Sequence, residues 1–223
     1  MSTPTPRAAR ARAAARHRPG GSTPSRSMLP VIALVVVGVI AVGIALLAGG
    51  GDDDAEPSTA LATAAVAVRG DALPPLAEGE DPAVGSPAPT LEGVSTDGTP
   101  TTVEPSGQPT LLAFLAHWCS HCQAELPRLV DLADDGSLDG LRTVTVLTGT
   151  DESRPNHPPA DWLEDEGWDG EVLVDDDDQP AATAFGLTSY PFLVLLDADG
   201  TVIARSAGEL GVDGLREFIA RAG

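Results

Sequence analysis

The chain has 223 residues, a net charge of −20, 42% hydrophobic residues and 4% aromatic ones, a length that holds one or two domains. Six arginines and no acid precede Asp52, whereas residues 52–223 carry seven arginines against 33 acids, and lysine is absent. So acidic a C-terminal part argues against nucleic acid or anionic lipid as its partner and serves solubility first.

Residues 1–27, rich in Arg, Ala, Pro and Ser, have nothing to bury and read as a disordered cytoplasmic tail. Residues 28–48 read as a transmembrane anchor. They include twenty uncharged residues, 29–48, enough to span a bilayer at about 1.5 Å per residue. The arginines before this run and Asp52-Asp53-Asp54 after it orient it with the N-terminus in the cytoplasm, a signal-anchor in the cell membrane. A cleaved signal peptide is the alternative, with Ala48-Gly49-Gly50 near a cleavage site, but the run is longer than a usual signal core. Either reading puts the rest of the chain outside the cytoplasm, where disulfide exchange has substrates. Residues 49–84, rich in Gly, Asp, Ala and Pro, are expected to be a linker. Within them the mildly apolar stretch 60–68 has no assignment.

The domain is expected over residues 85–223, where short apolar runs alternate with helical patterns. Residues 88–94 and 101–103 read as a short hairpin turned at Asp97-Gly98. Residues 110–116 are a continuous apolar run, as in a strand covered on both faces. A helix follows from Cys119 to near Asp135-Gly136, with Leu126, Leu129, Val130 and Ala133 on one face. Residues 141–148 and 172–174 are further strands, and residues 160–166, behind a Pro-Pro start, form a helix between them. A short helix over 181–185, a strand over 192–196, a turn at Asp199-Gly200, a strand over 201–204 and a helix over 212–221 complete the order. A β-α-β half followed by a β-β-α half makes an α/β sandwich around a mixed sheet.

Both cysteines of the chain lie in Trp118-Cys119-Ser120-His121-Cys122. A strand that turns into a helix at Cys119 places its thiol at free backbone N–H groups and the positive end of the helix dipole, which favours a thiolate. Cys122 then lies one turn further in, within reach of a disulfide to its neighbour. So short a loop gains little entropy from a structural disulfide, so the pair reads as a redox centre, with Cys119 as nucleophile and Cys122 as resolving thiol.

These residues resemble the thioredoxin superfamily, and more narrowly its membrane-anchored, extracytoplasmic thiol–disulfide oxidoreductases of the TlpA/ResA type. The resemblance covers about residues 85–223. It rests on Gly85-Ser86-Pro87-Ala88-Pro89, on Ala116-His117-Trp118-Cys119-Ser120-His121-Cys122-Gln123-Ala124-Glu125-Leu126-Pro127, and on Phe185-Gly186-Leu187-Thr188-Ser189-Tyr190-Pro191-Phe192 running to Asp199-Gly200. It implies a thioredoxin-like mixed sheet flanked by helices, protein thiol clients such as apo-cytochrome c in cytochrome c biogenesis, a membrane-embedded or extracytoplasmic redox partner, and no cofactor. It also implies a cis peptide bond before Pro191, setting the Tyr190 backbone against the disulfide to pair with an extended client. Two departures stand out. Ser-His separates the cysteines where reducing members often have proline, and His121 looks like the oxidising DsbA type. Ala113 stands where cytosolic thioredoxins carry a buried acid, and the TlpA/ResA pattern offers Glu125 in its place.

Glu125, partly desolvated on the redox helix, is expected to take the proton from Cys122. Trp118 is expected to shield the first sulfur and offer an apolar contact, and His121 to stabilise the Cys119 thiolate. His117 reads as a surface residue with no assigned role, and Asp175-Asp176-Asp177-Asp178 as a solvated turn without the pattern of a calcium loop. No metal site is expected, although a copper or zinc carrier using Cys119 and Cys122 with His117 or His121 is an alternative of a different class. Peroxidase chemistry is disfavoured because no P-x-x-x-T-x-x-C pattern occurs.

Overall fold

The computed structural model describes residues 65–223. The tail and anchor expected over residues 1–48 lie outside the described residues, as does the first part of the linker. Among the described residues no helix is long and apolar enough to cross a membrane.

The strands in chain order are β1 (Ala67–Arg69), β2 (Thr90–Val94), β3 (Pro100–Val103), β4 (Thr110–Leu115), β5 (Arg142–Leu147), β6 (Glu171–Val174), β7 (Phe192–Leu196) and β8 (Val202–Ala207). The helices are α1 (Ser120–Asp134), α2 (Pro159–Asp165), α3 (Pro180–Ala184) and α4 (Gly211–Ile219), followed by a 3₁₀ turn at Ala220–Ala222. Strands β1-β2-β3 form an antiparallel sheet, and a five-stranded mixed sheet runs β6-β5-β4-β7-β8. In the latter β4 pairs parallel to β5 and antiparallel to β7, with Phe114 opposite Phe192 and Leu115 opposite Leu147. This is the thioredoxin-like α/β arrangement.

The period of two along β4 divides the core. Leu112 and Phe114 point to a cluster with Val144, Val146, Phe185 and Phe192, covered by α3 and the small sheet. Leu111, Ala113 and Leu115 point the other way, to Leu126, Leu129, Trp162, Leu215 and Phe218 of α1, α2 and α4. All six β4 residues are buried, which is why its sequence is an unbroken apolar run.

The domain starts earlier than the sequence reading placed it, because residues 65–84 are built into it instead of serving as linker. Strand β1 pairs with β2, with Val68 opposite Leu91, and Val66, Leu73 and Ala83 are buried. Polar contacts from distant positions hold this segment. Asp176 Oδ2 accepts the Val66 N–H at 2.8 Å. The Arg205 guanidinium donates to Asp81 Oδ2 at 3.0 Å and to the carbonyls of Pro74 and Phe185 at 2.9 and 2.8 Å. Asp176 and Arg205 lie more than 100 residues from the groups they bind in this segment, so local composition carried no sign of them.

Candidate active site

Strand β4 ends at Leu115, and the chain turns at once, the Cys119 N–H donating to the Ala116 carbonyl at 2.9 Å. Cys119 is the N-cap of α1, with no side-chain cap, so its half-buried side chain stands at the positive end of the helix. Both thiols are free. Cys122 is wholly buried between Leu126 and the β4 residues Leu111, Ala113 and Leu115. Burial pushes its thiol far above the ordinary cysteine range, and the nearby Cys119 and Glu125 push it the same way. The Ala116 N–H, 3.4 Å from Sγ, opposes them. The two sulfurs are therefore unequal: one reachable at a helix start, one protonated in the core behind it.

Glu125 is also fully buried. Its Oε1 accepts the Leu210 N–H at 2.8 Å, while Oε2 accepts the Gly211 N–H at 3.2 Å and Arg128 Nη1 at 2.8 Å. The carboxylate thus caps α4, whose own N-cap residue supplies no side-chain bond. His121 lies on the exposed side of α1, and its Nδ1 is 2.9 Å from Glu209 Oε2. That contact, not one to Cys119, is the hydrogen bond its ring makes.

The Tyr190–Pro191 peptide is cis, and the Tyr190 carbonyl oxygen lies 4.0 Å from Cys119 Sγ. The Tyr190 hydroxyl donates to Gln179 Oε1 at 2.7 Å, and burial pushes that phenol above its usual range. Trp118 meets the Tyr190 ring edge-on at 5.9 Å and donates its indole N–H to the Gly149 carbonyl at 2.7 Å. These side chains, with Asp151, Glu152 and Gln179, line a groove of about 660 Å³. Sequence reading brought Trp118, Cys119, Cys122, Glu125, Tyr190 and Pro191 forward, and the fold gathers them around one end of α1. It missed Gly149, whose backbone has φ +62° and where an added Cβ would lie 2.7 Å from the Tyr190 hydroxyl. A glycine two residues past the end of β5 was the available signal.

Two residues differ from expectation. His117 is buried. Its Nε2 accepts the Asp151 N–H at 3.2 Å, so the ring hydrogen is on Nδ1, which donates to the Pro155 carbonyl at 2.6 Å. Both ring nitrogens are thereby engaged in fastening the 151–155 loop behind the motif, which leaves none for a metal carried by the cysteines. Among the described residues no group of three or more His, Cys, Asp or Glu side chains gathers to hold an ion. Asp175 is the other. Instead of a solvated turn it is buried, and it caps α3 by accepting the Ala181 and Ala182 N–H groups at 2.9 and 3.1 Å. Burial raises its carboxyl above the ordinary range against those bonds.

Residues 84–205 match the AhpC/TSA family. The chain belongs to that family. Among relatives of this AhpC/TSA chain, the thiol:disulfide interchange protein DsbE of Escherichia coli (strain K12) is 30% identical over 144 residues, covering 60% of this chain and 74% of that protein. DsbE of Pasteurella multocida (strain Pm70) is 30% identical over 104 residues, 47% of this chain and 53% of its own length, so the match spans about half of that relative. The crystal structure of a thiol:disulfide interchange protein of the thioredoxin family from Chlorobium tepidum TLS superposes with a TM-score of 0.52 at 22% identity, over 66% of this chain and 99% of that one. That likeness is one of fold. This AhpC/TSA member has a thioredoxin-like fold with two free cysteines, Cys119 and Cys122, at the start of α1.

Proposed function

We propose that the protein exchanges disulfides with client protein thiols through Cys119 and Cys122, outside the cytoplasm, tethered to the cell membrane by residues 28–48. The observation that carries this reading is the inequality of the sulfurs, one half-buried at a helix start and the other buried in the core three residues on.

In the reducing direction Cys119, as thiolate, attacks a client disulfide. A Cys119–client S–S bond forms, the client S–S bond breaks, and one client thiolate leaves. Cys122 then gives its proton to Glu125 and attacks the Cys119 sulfur, so that the Cys119–Cys122 disulfide forms and the second client thiolate departs. Two electrons pass to the client, and an extracytoplasmic or membrane-embedded thiol partner must restore them. On Glu125, Oε2 already accepts two N–H groups, whereas Oε1 accepts only that of Leu210. Oε1 is the atom with a lone pair to take the proton. The extended client pairs with the Tyr190 backbone, its flank resting on Trp118.

The direction proposed is reduction of client disulfides, apo-cytochrome c among them, which the resemblance to the TlpA/ResA type supports. Ser120-His121 between the cysteines favours the opposite direction. Equilibration against glutathione tests both: a potential near about −270 mV marks a reductant, and one near about −120 mV an oxidant. Failure of the reduced protein to cleave insulin disulfides, with loss of neither thiol on exposure to glutathione disulfide, would refute the exchange itself.

A further inference from the structure

The segment between β8 and the first turn of α4 meets both the cis-proline loop and α1. The Gly208 N–H donates to the Pro191 carbonyl at 2.8 Å, and the Leu210 and Gly211 N–H groups hold Glu125. Between them stands Glu209, a residue with no assigned role. Its Oε1 accepts Arg128 Nη1 at 2.6 Å, and its Oε2 lies 2.9 Å from His121 Nδ1. The same Arg128 Nη1 donates to Glu125 Oε2 at 2.8 Å. That nitrogen has two hydrogens, and the two carboxylates take both.

A continuous run of side chains, His121–Glu209–Arg128–Glu125, therefore leads from the ring between the two cysteines to the buried carboxylate beside Cys122. Exposure falls along it, from 65% at His121 through 29% and 28% at Glu209 and Arg128 to none at Glu125. The charge pattern is consistent, since His121 and Arg128 hold the Glu209 carboxyl below its usual range.

We propose that Glu209 is a positioning residue for the exchange reaction: it holds Arg128 on Glu125 Oε2 and so keeps the buried carboxylate oriented to receive the Cys122 proton. His121 acts at the same point by fixing the second oxygen of Glu209. The proposal rests on the reading of Glu125 as proton acceptor. The titratable and charged groups around Glu125 are Cys122, Cys119 and Arg128 from the redox motif and helix, with Glu209 and His121 beyond Arg128. Helix α4 presents backbone N–H groups. Arg128 is a long, partly exposed side chain, and with Glu209 gone it has solvent as a competing partner. A buried carboxylate without its cation keeps its proton to higher pH, so it serves as a base only at higher pH.

The test is the resolution step, read as release of a chromophoric thiol from a mixed disulfide at Cys119, in single turnover from pH 5 to 9. Glu209→Gln presents one acceptor where two are needed. It is expected to slow resolution at pH 7 by roughly fivefold, short of the 10²- to 10⁴-fold worth of a whole general base, and to move the profile to higher pH. Thermal midpoint should hardly change, because exposed ion pairs contribute little to stability. In a Glu125→Gln background, Glu209→Gln should add nothing. If Glu125→Gln does not fold, Arg128→Gln takes its place in the double variant with the same expectation. An altered profile in Glu125→Gln beside an unchanged one in Glu209→Gln, or effects that multiply in the double variant, overturns the role of Glu209 and leaves Glu125 as acceptor. An unchanged profile in both single variants overturns the Glu125 reading and this proposal with it.

Discussion

Glu125, on the redox helix, caps a helix other than its own: its Oε1 accepts the Leu210 backbone N–H at 2.8 Å, at the start of α4. A single buried carboxylate thus joins two helices of the core and stands one helical turn from Cys122.

That double service separates two substitutions. Glu125→Ala leaves the Leu210 and Gly211 N–H groups without partners, at a cost of about 1–3 kcal/mol, read as a lower urea midpoint at unchanged slope. Glu125→Gln keeps an acceptor for Leu210 and is expected to lose less stability. Both variants should be slow in resolution, since neither side chain can take a proton at that atom. Slow resolution in the alanine variant alone would mean that the residue only holds the helices together.

Burial of Cys122 gives stability a pH dependence of definite sign. Its folded-state thiol lies far above the ordinary value of 9.0, so in the reduced protein the folded state keeps a proton that the unfolded chain gives up. The contribution is whole below pH 9 and declines as pH rises above it, by about 1.4 kcal/mol for each further unit. Urea titrations of the reduced protein between pH 7 and 10 should show this decline. The difference between it and Cys122→Ala should shrink accordingly as pH rises. A difference constant over that range contradicts the burial.

The buried Arg205 guanidinium, with no exposed side-chain surface, anchors residues 74–81. Asp81→Ala leaves that cation unpaired, a loss of about 3–5 kcal/mol. The Asp81 carboxyl is held below its ordinary 3.8, chiefly by its hydrogen bond from Arg205, so its contribution is present above that pH and is lost as pH falls through the lower folded value. Urea midpoints of the parent and Asp81→Ala should converge on acidification below pH 4.

At Gly149 a side chain would meet the Tyr190 hydroxyl at 2.7 Å, on a backbone with φ +62°. Gly149→Ala is expected to displace Tyr190 and the Trp118 indole that bonds to the Gly149 carbonyl. The positive φ itself costs about 1–2 kcal/mol for a non-glycine residue. Because the displaced groups line the groove, KM for a peptide disulfide should rise several-fold, with a smaller change in the rate of Cys119 alkylation by a small reagent.

The strands and helices of residues 85–223 were legible because both faces of the central sheet are covered: an unbroken run at β4 and a 3.6-residue stripe on α1 admit few other readings. Cys119 and Cys122 were legible from spacing, and Trp118, Tyr190 and Pro191 from resemblance. What local sequence did not carry was long-range polar pairing. Residues 65–84 have a linker-like composition and become part of the domain through Asp176 and Arg205. His117 has the look of a surface residue until the 151–155 loop folds over it. Glu209 is one acid among 33, and nothing near it in the chain marks it as the partner of a residue 88 positions earlier.

The division of labour between the two sulfurs is tested most directly by trapping. Cys122→Ser and Cys119→Ser are each mixed with a small aromatic disulfide at pH 7, and the covalent adduct is located by mass. Cys122→Ser should accumulate a stable adduct on Cys119 within the mixing time, and Cys119→Ser should remain unmodified while folded. Equal adduct formation on both variants, or capture on Cys122 alone, would contradict the inequality on which the proposed exchange depends.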